Sequence, residues 1–190
     1  VSAEEYKALV PDRRVFFNEP DFTELNKDKA DGIYYLLFMR ENSARFGLIS
    51  GKVGSEMRTP YSAPYSYPVA IINESKQETI DAVLAVYEKY CIEQGAESIR
   101  FIFPPLFYDE HLLSGWVSAF YRGGYRVLNL DVNYALNLEK LNVDKESYGQ
   151  MITQKGRKGL RRAERSGLEI VKCESEEDYN TAYEIIRIGH

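Results

Sequence analysis

The hydrophobic residues of this chain follow two patterns, one typical of helices and one typical of strands. Between residues 75 and 95, apolar side chains recur every three or four positions, which predicts a helix. Ser75 and Glu78 have the spacing of a capping box, and Gly95 suits the C-terminal end of that helix. Residues 31–41 are rich in aliphatic and aromatic side chains, which predicts a strand.

The two patterns continue along the rest of the chain. Residues 47–57, with glycines at 47, 51 and 54, predict a turn and a second strand, and residues 125–138 predict one bent strand or two. Further strands are predicted at residues 69–72, 98–103 and 168–173. Further helices are predicted within residues 1–14 and at residues 109–123, 144–167 and 175–190. Prolines at positions 60, 64 and 68 predict an extended surface loop over residues 59–68, because proline interrupts both helices and central strands. This order predicts an α/β (α+β) fold in which helices pack on a central mixed sheet.

Composition narrows the class of protein. The chain has 190 residues, 44% of them hydrophobic, so it can bury a core without disulfides or a metal. Two cysteines, Cys91 and Cys173, are too few for a disulfide framework or a metal site and predict reduced thiols in a cytoplasmic protein. No apolar run approaches the ~20 residues that span a bilayer, and no signal peptide is visible at the amino end. We therefore expect no membrane span and no bound metal.

Positive charge is concentrated in residues 151–166, which we call the basic segment. The segment carries six cations and one acid, a net charge of +5, whereas the whole chain carries −5. The other residues therefore sum to −10, which argues against general nucleic-acid binding. A short row of cations on an acidic body favours a localised anion such as a phosphate.

The cations of the basic segment occupy one side of the predicted helix, opposite a thin face of small and apolar residues. They are Lys155, Arg157, Lys158, Arg161, Arg162 and Arg165. Arginine outnumbers lysine among them, and the guanidinium group suits the paired oxygens of phosphate and carboxylate. The alternative is a solvated helix face that the chain's own acids neutralise.

Three tyrosines, Tyr61, Tyr65 and Tyr67, lie in the proline-spaced loop. Their rings and hydroxyl groups could line a substrate cleft and donate hydrogen bonds there. The alternative is that the rings pin the loop to the core. No catalytic residue is assigned, because His111 has no nucleophile as a partner in the sequence pattern.

The residues around the basic segment resemble a known family. The run RKGLRRAERSGLEIV at residues 157–171, followed by an acidic helix containing DYNTAYEII, is similar to the Fem-type (FemAB-like) branch of the GNAT acyltransferase superfamily. That branch includes the peptidoglycan-bridge aminoacyltransferases. The segments GGYRVLNLDVNYALNL and TPYSAPYSYP also resemble strands and a loop of this branch.

The resemblance implies a fold, a reaction and a domain organisation. It implies a GNAT-like domain at residues 1–173 and, at residues 174–190, the first helix of a second, truncated GNAT-like domain, so that a C-terminal domain is missing. It implies an N-acyltransferase that moves an acetyl or aminoacyl group to an amine, with acyl-CoA or aminoacyl-tRNA as the donor. The basic segment would then contact the phosphate of a small anionic or nucleotide-linked substrate.

One departure from the family pattern favours a different function. The GNAT pyrophosphate loop reads (Gln/Arg)-x-x-Gly-x-(Gly/Ala), and the nearest stretch, Arg122-Gly123-Gly124, falls at the end of a predicted helix instead of its start. The alternative function is therefore a catalytically silent GNAT-like binding or interaction module without coenzyme binding. A third alternative is tRNA binding through the basic segment, which the acidic remainder of the chain disfavours.

Overall fold

The computed structural model describes residues 1–10, 16–72, 76–135, 137–138, 144–167 and 169–189. The chain divides into two compact units, Val1–Asn133 and Tyr134–His190. The predicted boundary between residues 173 and 174 falls inside the second unit. The pair of GNAT-like domains stays a prediction.

The first unit contains the predicted mixed sheet. Its strands are β1 Gly32–Arg40, β2 Ser43–Val53, β3 Glu56–Thr59, β4 Val69–Ala70 and β5 Ser98–Phe101. β1, β2 and β3 are successive antiparallel neighbours, β4 pairs antiparallel with β2, and β5 pairs parallel with β3. The sheet is therefore open, with β1 at one end and β5 at the other.

Helices cover both faces of this sheet. Those in the described part of the first unit are α1 Ala3–Leu9, α2 Pro20–Leu25, α3 Gln77–Glu93 and α4 Glu110–Arg122. On one face, the ring of Trp116 in α4 lies 5.4 Å from that of Phe46 in β2. On the other face, a Cβ on Gly47 would lie only 2.6 Å from Val10 Cγ2, at the end of α1. Because both faces are covered, β2 is buried without a break over residues 46–51.

Side-chain caps begin two helices where the sequence predicts them. The carboxylate of Asp109 accepts a hydrogen bond from the Leu112 amide, 3.1 Å away, at the start of α4. Ser175 and Asp178 each accept a bond from the other's amide, at 3.1 and 3.0 Å, before α7, Glu176–Gly189. The predicted cap residue Ser75 lies outside the described residues, and α3 begins at Gln77.

The second unit contains helices α5 Lys145–Met151, α6 Gln154–Arg165 and α7. The predicted single helix over residues 144–167 is wrong, because the chain breaks between α5 and α6. Ile152 is extended there, with ψ of 149°, and the Thr153 hydroxyl caps α6 by accepting a bond of 3.2 Å from the Gly156 amide. None of the residues described in this unit is buried.

The predictions of strands at residues 125–138 and 168–173 are also wrong for the residues that the structure describes there. In the first segment, Leu130 is 90% exposed and Val132 is 79% exposed. An alternating pattern forms a strand only where a neighbouring backbone edge completes its hydrogen bonds. No described strand pairs with either segment.

The turn between β1 and β2 is a site where stability can be raised. Its two residues, Glu41 and Asn42, both have positive φ, of 49° and 62°, as in a type I′ turn. Because Asn-Gly is the preferred pair for this turn, we expect Glu41→Asn combined with Asn42→Gly to raise the free energy of unfolding by about 1 kcal/mol. Urea denaturation measures the change.

A glycine in the next turn provides the control for that substitution. Gly54 also has positive φ, of 61°, and nothing lies within 4 Å of a Cβ placed there. Gly54→Ala should therefore destabilise through backbone strain alone, by about 1 kcal/mol. A loss of stability in the Asn-Gly variant would contradict the proposed strain in the first turn.

Candidate functional site

The predicted cations are brought together on α6. Lys155, Lys158, Arg162 and Arg165 are spaced by three and four residues and so form one column along the helix. Arg161 lies beside this column, and all five of these side chains are exposed. The helix rise of 1.5 Å per residue gives the column a length of about 15 Å.

Arg157 differs from the other cations of α6. It is half-buried, and its Nη1 donates a hydrogen bond of 3.1 Å to the backbone oxygen of Gly149 in α5. This bond ties α6 to the preceding helix across the break at Thr153. Arg157 therefore has a structural contact within the second unit, whether or not it also contacts a ligand.

The remaining cations are not neutralised within the part of the chain that the structure describes. No ion pair or side-chain hydrogen bond between described residues involves them. They are Lys155, Lys158, Arg161, Arg162 and Arg165. Other cations of the same unit do pair, since Lys172 lies 3.2 Å from Glu174 and Arg187 lies 2.7 Å from Glu184.

The spacing of these cations places like charges next to each other on α6. Like charges three and four residues apart each destabilise a helix by about 0.2–0.5 kcal/mol. The first turn contains no acid, and Lys155 lies there, at the positive end of the helix dipole. An anion bound along the column would relieve both effects, so the physical chemistry of α6 favours an anionic ligand.

The structure places the three loop tyrosines in different surroundings. The Tyr61 hydroxyl donates a bond of 2.5 Å to the backbone oxygen of Thr23 in α2. The Tyr65 hydroxyl lies 2.6 Å from that of Tyr108. Tyr67 is only 1% exposed and belongs to the core. These contacts hold the loop onto the first unit, as the pinned-loop alternative predicts.

The tyrosine hydroxyls are poor bases in these surroundings. Burial raises the pKa of Tyr61 above its usual value. The hydrogen bond with Tyr108 raises the pKa of Tyr65 to about 12. Both groups are therefore protonated at neutral pH and can act as hydrogen-bond donors but not as bases. The thiol of Cys91 is protonated too, because burial raises its pKa to about 11.

A small cavity lies beside Tyr61. Its walls include Phe17, Phe22, Thr23, Asn26, Tyr61 and Ser62. Its volume of about 10 Å³ is roughly that needed for one water molecule. Tyr65 and Tyr67 do not line it, so this cavity does not join the three tyrosines into one substrate cleft. Their assignment to such a cleft stays a prediction.

Sequence reasoning missed the residues that fix the tyrosine loop. The amide of Asn18 donates a bond of 3.3 Å to the backbone oxygen of Tyr67, and its oxygen accepts one from Ser66. Tyr108 is the partner of Tyr65. These contacts join residues more than 40 positions apart, and no spacing along the sequence indicates them.

The described residues contain no group of His, Cys, Asp and Glu side chains placed to hold a metal ion. Among them, no helix has both the length and the apolar character needed to cross a membrane. No protein-family model, no curated protein and no solved structure matches this chain. What the structure itself shows is an α/β unit with an open mixed sheet, followed by a second unit in which five exposed cations of α6 have no ion pair with a described residue.

Proposed function

We propose that α6 binds a phosphate-bearing ligand, and that the chain is a GNAT-like, Fem-type N-acyltransferase domain that positions an anionic amine acceptor. The observation that carries the first part is the column of exposed cations without ion pairs among the described residues. The resemblance of residues 157–171 supports the second part, and the mixed sheet is compatible with it. A cytoplasmic location belongs to the same proposal.

The proposed reaction needs little from the domain beyond binding and orientation. An amine attacks the carbonyl of a thioester or ester, a C–N bond forms, and the thiol or hydroxyl leaves as the amine gives up a proton. Holding the acceptor by its phosphate aligns the amine with the donor, and alignment alone can account for much of such a rate enhancement. The base that takes the proton is not assigned to any residue of this chain.

The strength of the contacts between a phosphate and the cations of α6 can be estimated from the exposure of those side chains. A hydrogen bond to a charged group contributes about 1.5–3 kcal/mol when it is well formed. The α6 side chains are exposed, so solvent and salt screen each contact to about 1 kcal/mol or less. Removing two arginines should therefore weaken binding by about tenfold.

The test is Arg161→Gln combined with Arg162→Gln. We expect the dissociation constant for a nucleoside diphosphate or for coenzyme A, measured by isothermal titration calorimetry, to rise about tenfold. Lys172→Gln combined with Arg187→Gln is the matched control, because it removes the same charge from the same unit at cations that already have acidic partners. Circular dichroism verifies that both variants keep their helix content.

Two results would contradict the proposed site on α6. In the first, the Arg161 and Arg162 variant binds as tightly as the unchanged protein while its helices are intact. In the second, the control pair weakens binding equally, which would mean that only the net charge of the unit matters. Binding that falls steeply with salt and prefers tRNA over mononucleotides would instead favour the RNA-binding alternative.

The second candidate function is a catalytically silent binding module. It is favoured by Gly123 and Gly124, which follow the last residue of α4 instead of preceding a helix. Micromolar binding of coenzyme A would support the enzyme, and binding of a phosphate ligand without coenzyme A would support the module.

A further inference from the structure

The residues that follow α4 have the pattern of a strand but form none. We call residues 126–133 the alternating segment. Its apolar positions 128, 130 and 132 alternate with the polar positions 129, 131 and 133. Leu128 is 69% exposed, Leu130 is 90% exposed and Val132 is 79% exposed. Such a row of apolar side chains is rarely left in contact with water.

The sheet of the same unit ends in a strand with one open side. β5 pairs with β3 and with no other strand among the described residues. The backbone groups on its outer side are therefore available for another strand. Unpaired edges of this kind bind added strands through main-chain hydrogen bonds.

The two faces of β5 match the two faces of the alternating segment. The ring of Phe101 points into the core, where it lies 4.6 Å from that of Phe120 and 5.6 Å from that of Tyr87. Arg100 is exposed on the opposite face. A strand added with Leu130 on the Phe101 face would continue the core. It would place Asp131 on the face of Arg100, so the charges as well as the apolar positions are complementary.

Within a single chain, the alternating segment and β5 are not paired with each other. Tyr125 is held to the end of α4 by a hydrogen bond of 3.0 Å from its amide to the Phe120 oxygen and by a ring contact of 4.5 Å with Phe120. The alternating segment follows that point, and no strand among the described residues pairs with it or with the outer side of β5. Each chain therefore has a segment that can add to a sheet and a strand edge that can bind such a segment.

We propose that two copies of this chain exchange these elements, with the alternating segment of each copy adding to β5 of the other. Each copy donates its alternating segment and accepts that of the other copy, so the two copies are related by a two-fold axis. Both the segment and β5 are then paired in both copies. It covers the apolar side chains of both segments and pairs the backbone of both edges. The inference concerns only the first unit and does not depend on the function proposed for α6.

The test compares one substitution on each face of the segment. We expect sedimentation velocity between about 1 and about 100 µM to show a monomer–dimer equilibrium. Leu130→Asp should raise the dimer dissociation constant about tenfold or more, because a carboxylate would enter the apolar contact. The control Asn129→Asp adds the same group on the polar face and should not weaken the dimer. Position 130 is already exposed in the single chain, so neither change should impair folding.

A cross-link identifies the elements that meet. In a Cys173→Ser background, a protein with Arg100→Cys is mixed with one carrying Asp131→Cys under mild oxidation. We expect a disulfide between unlike chains and none when either protein is alone. Amide exchange of residues 126–133 should slow as the protein concentration rises.

Three results would overturn the strand exchange. The first is a protein that is monomeric at every concentration. That result counts against the exchange both when the amides of the alternating segment are protected within one chain and when they are unprotected. The second is a dimer that Leu130→Asp and Asn129→Asp weaken equally. The third is a dimer in which the mixed proteins fail to cross-link.

Discussion

Replacing Trp116 by alanine is expected to lower the free energy of unfolding of the first unit by about 3–5 kcal/mol. The side chain is 1% exposed, and its ring contacts those of Phe46 in β2 and Phe120 in α4. Alanine would leave a cavity between α4 and the sheet that the backbone cannot close. Urea denaturation followed by circular dichroism measures the loss, since this is the only tryptophan in the chain.

Phenylalanine at position 116 provides the matched control. The indole Nε1 is buried, and no described residue accepts a hydrogen bond from it. Trp116→Phe keeps most of the packing and removes that unsatisfied donor, so its cost should be no more than about 1–2 kcal/mol. If Trp116→Ala lowered the free energy of unfolding by less than Trp116→Phe does, the packing described between α4 and β2 would be contradicted.

Gly51→Ala is expected to lower the free energy of unfolding by about 2–3 kcal/mol. Gly51 is a buried residue of β2 that faces Tyr61 in the proline-spaced loop. A Cβ there would lie 2.4 Å from Cγ and 2.7 Å from Cβ of Tyr61. Rotation about χ1 moves Cγ but leaves Cβ in place, so the loop itself must move. Thermal or urea unfolding reports the loss.

A double-mutant cycle with Tyr61→Gly isolates this contact. Tyr61→Gly removes the three atoms that lie nearest to the new methyl group, so the double variant should be no less stable than Tyr61→Gly alone. Gly115→Ala is the control, because its Cβ would come within 2.7 Å only of Ile80 Cδ1, the end of a flexible side chain. Additive losses in the cycle would show that Tyr61 does not lie against Gly51.

Short-range signals predicted much of the fold. The apolar spacing of α3 and the aromatic run of β1 are confirmed, with their ends shifted by one or two residues. The cap at Asp109 is confirmed because a side chain and an amide three residues apart are enough to form it. The helix α2 was missed, since its six residues carry no repeated apolar spacing, although Pro20 at its first position is a recognised start signal.

The candidate site was also predictable from the sequence only in part. The gathering of the cations on α6 follows from their spacing on one helix, and all of them except Arg157 are exposed there. The tyrosine loop did not follow from the sequence, because Asn18, Thr23 and Tyr108 decide where its rings go. Those partners are chosen by packing, and packing joins distant parts of the chain.

The sequence by itself indicated β1, β5, α3 and α4 in the first unit, where α4 and α7 begin, and that the positive charge gathers on one helix. These properties depend on residues within one or two turns of each other. The tertiary structure alone decided that β5 pairs with β3 and that residues 126–133 remain outside the sheet. A strand exists only when a neighbour completes its hydrogen bonds, and that neighbour is set by the packing of the whole unit.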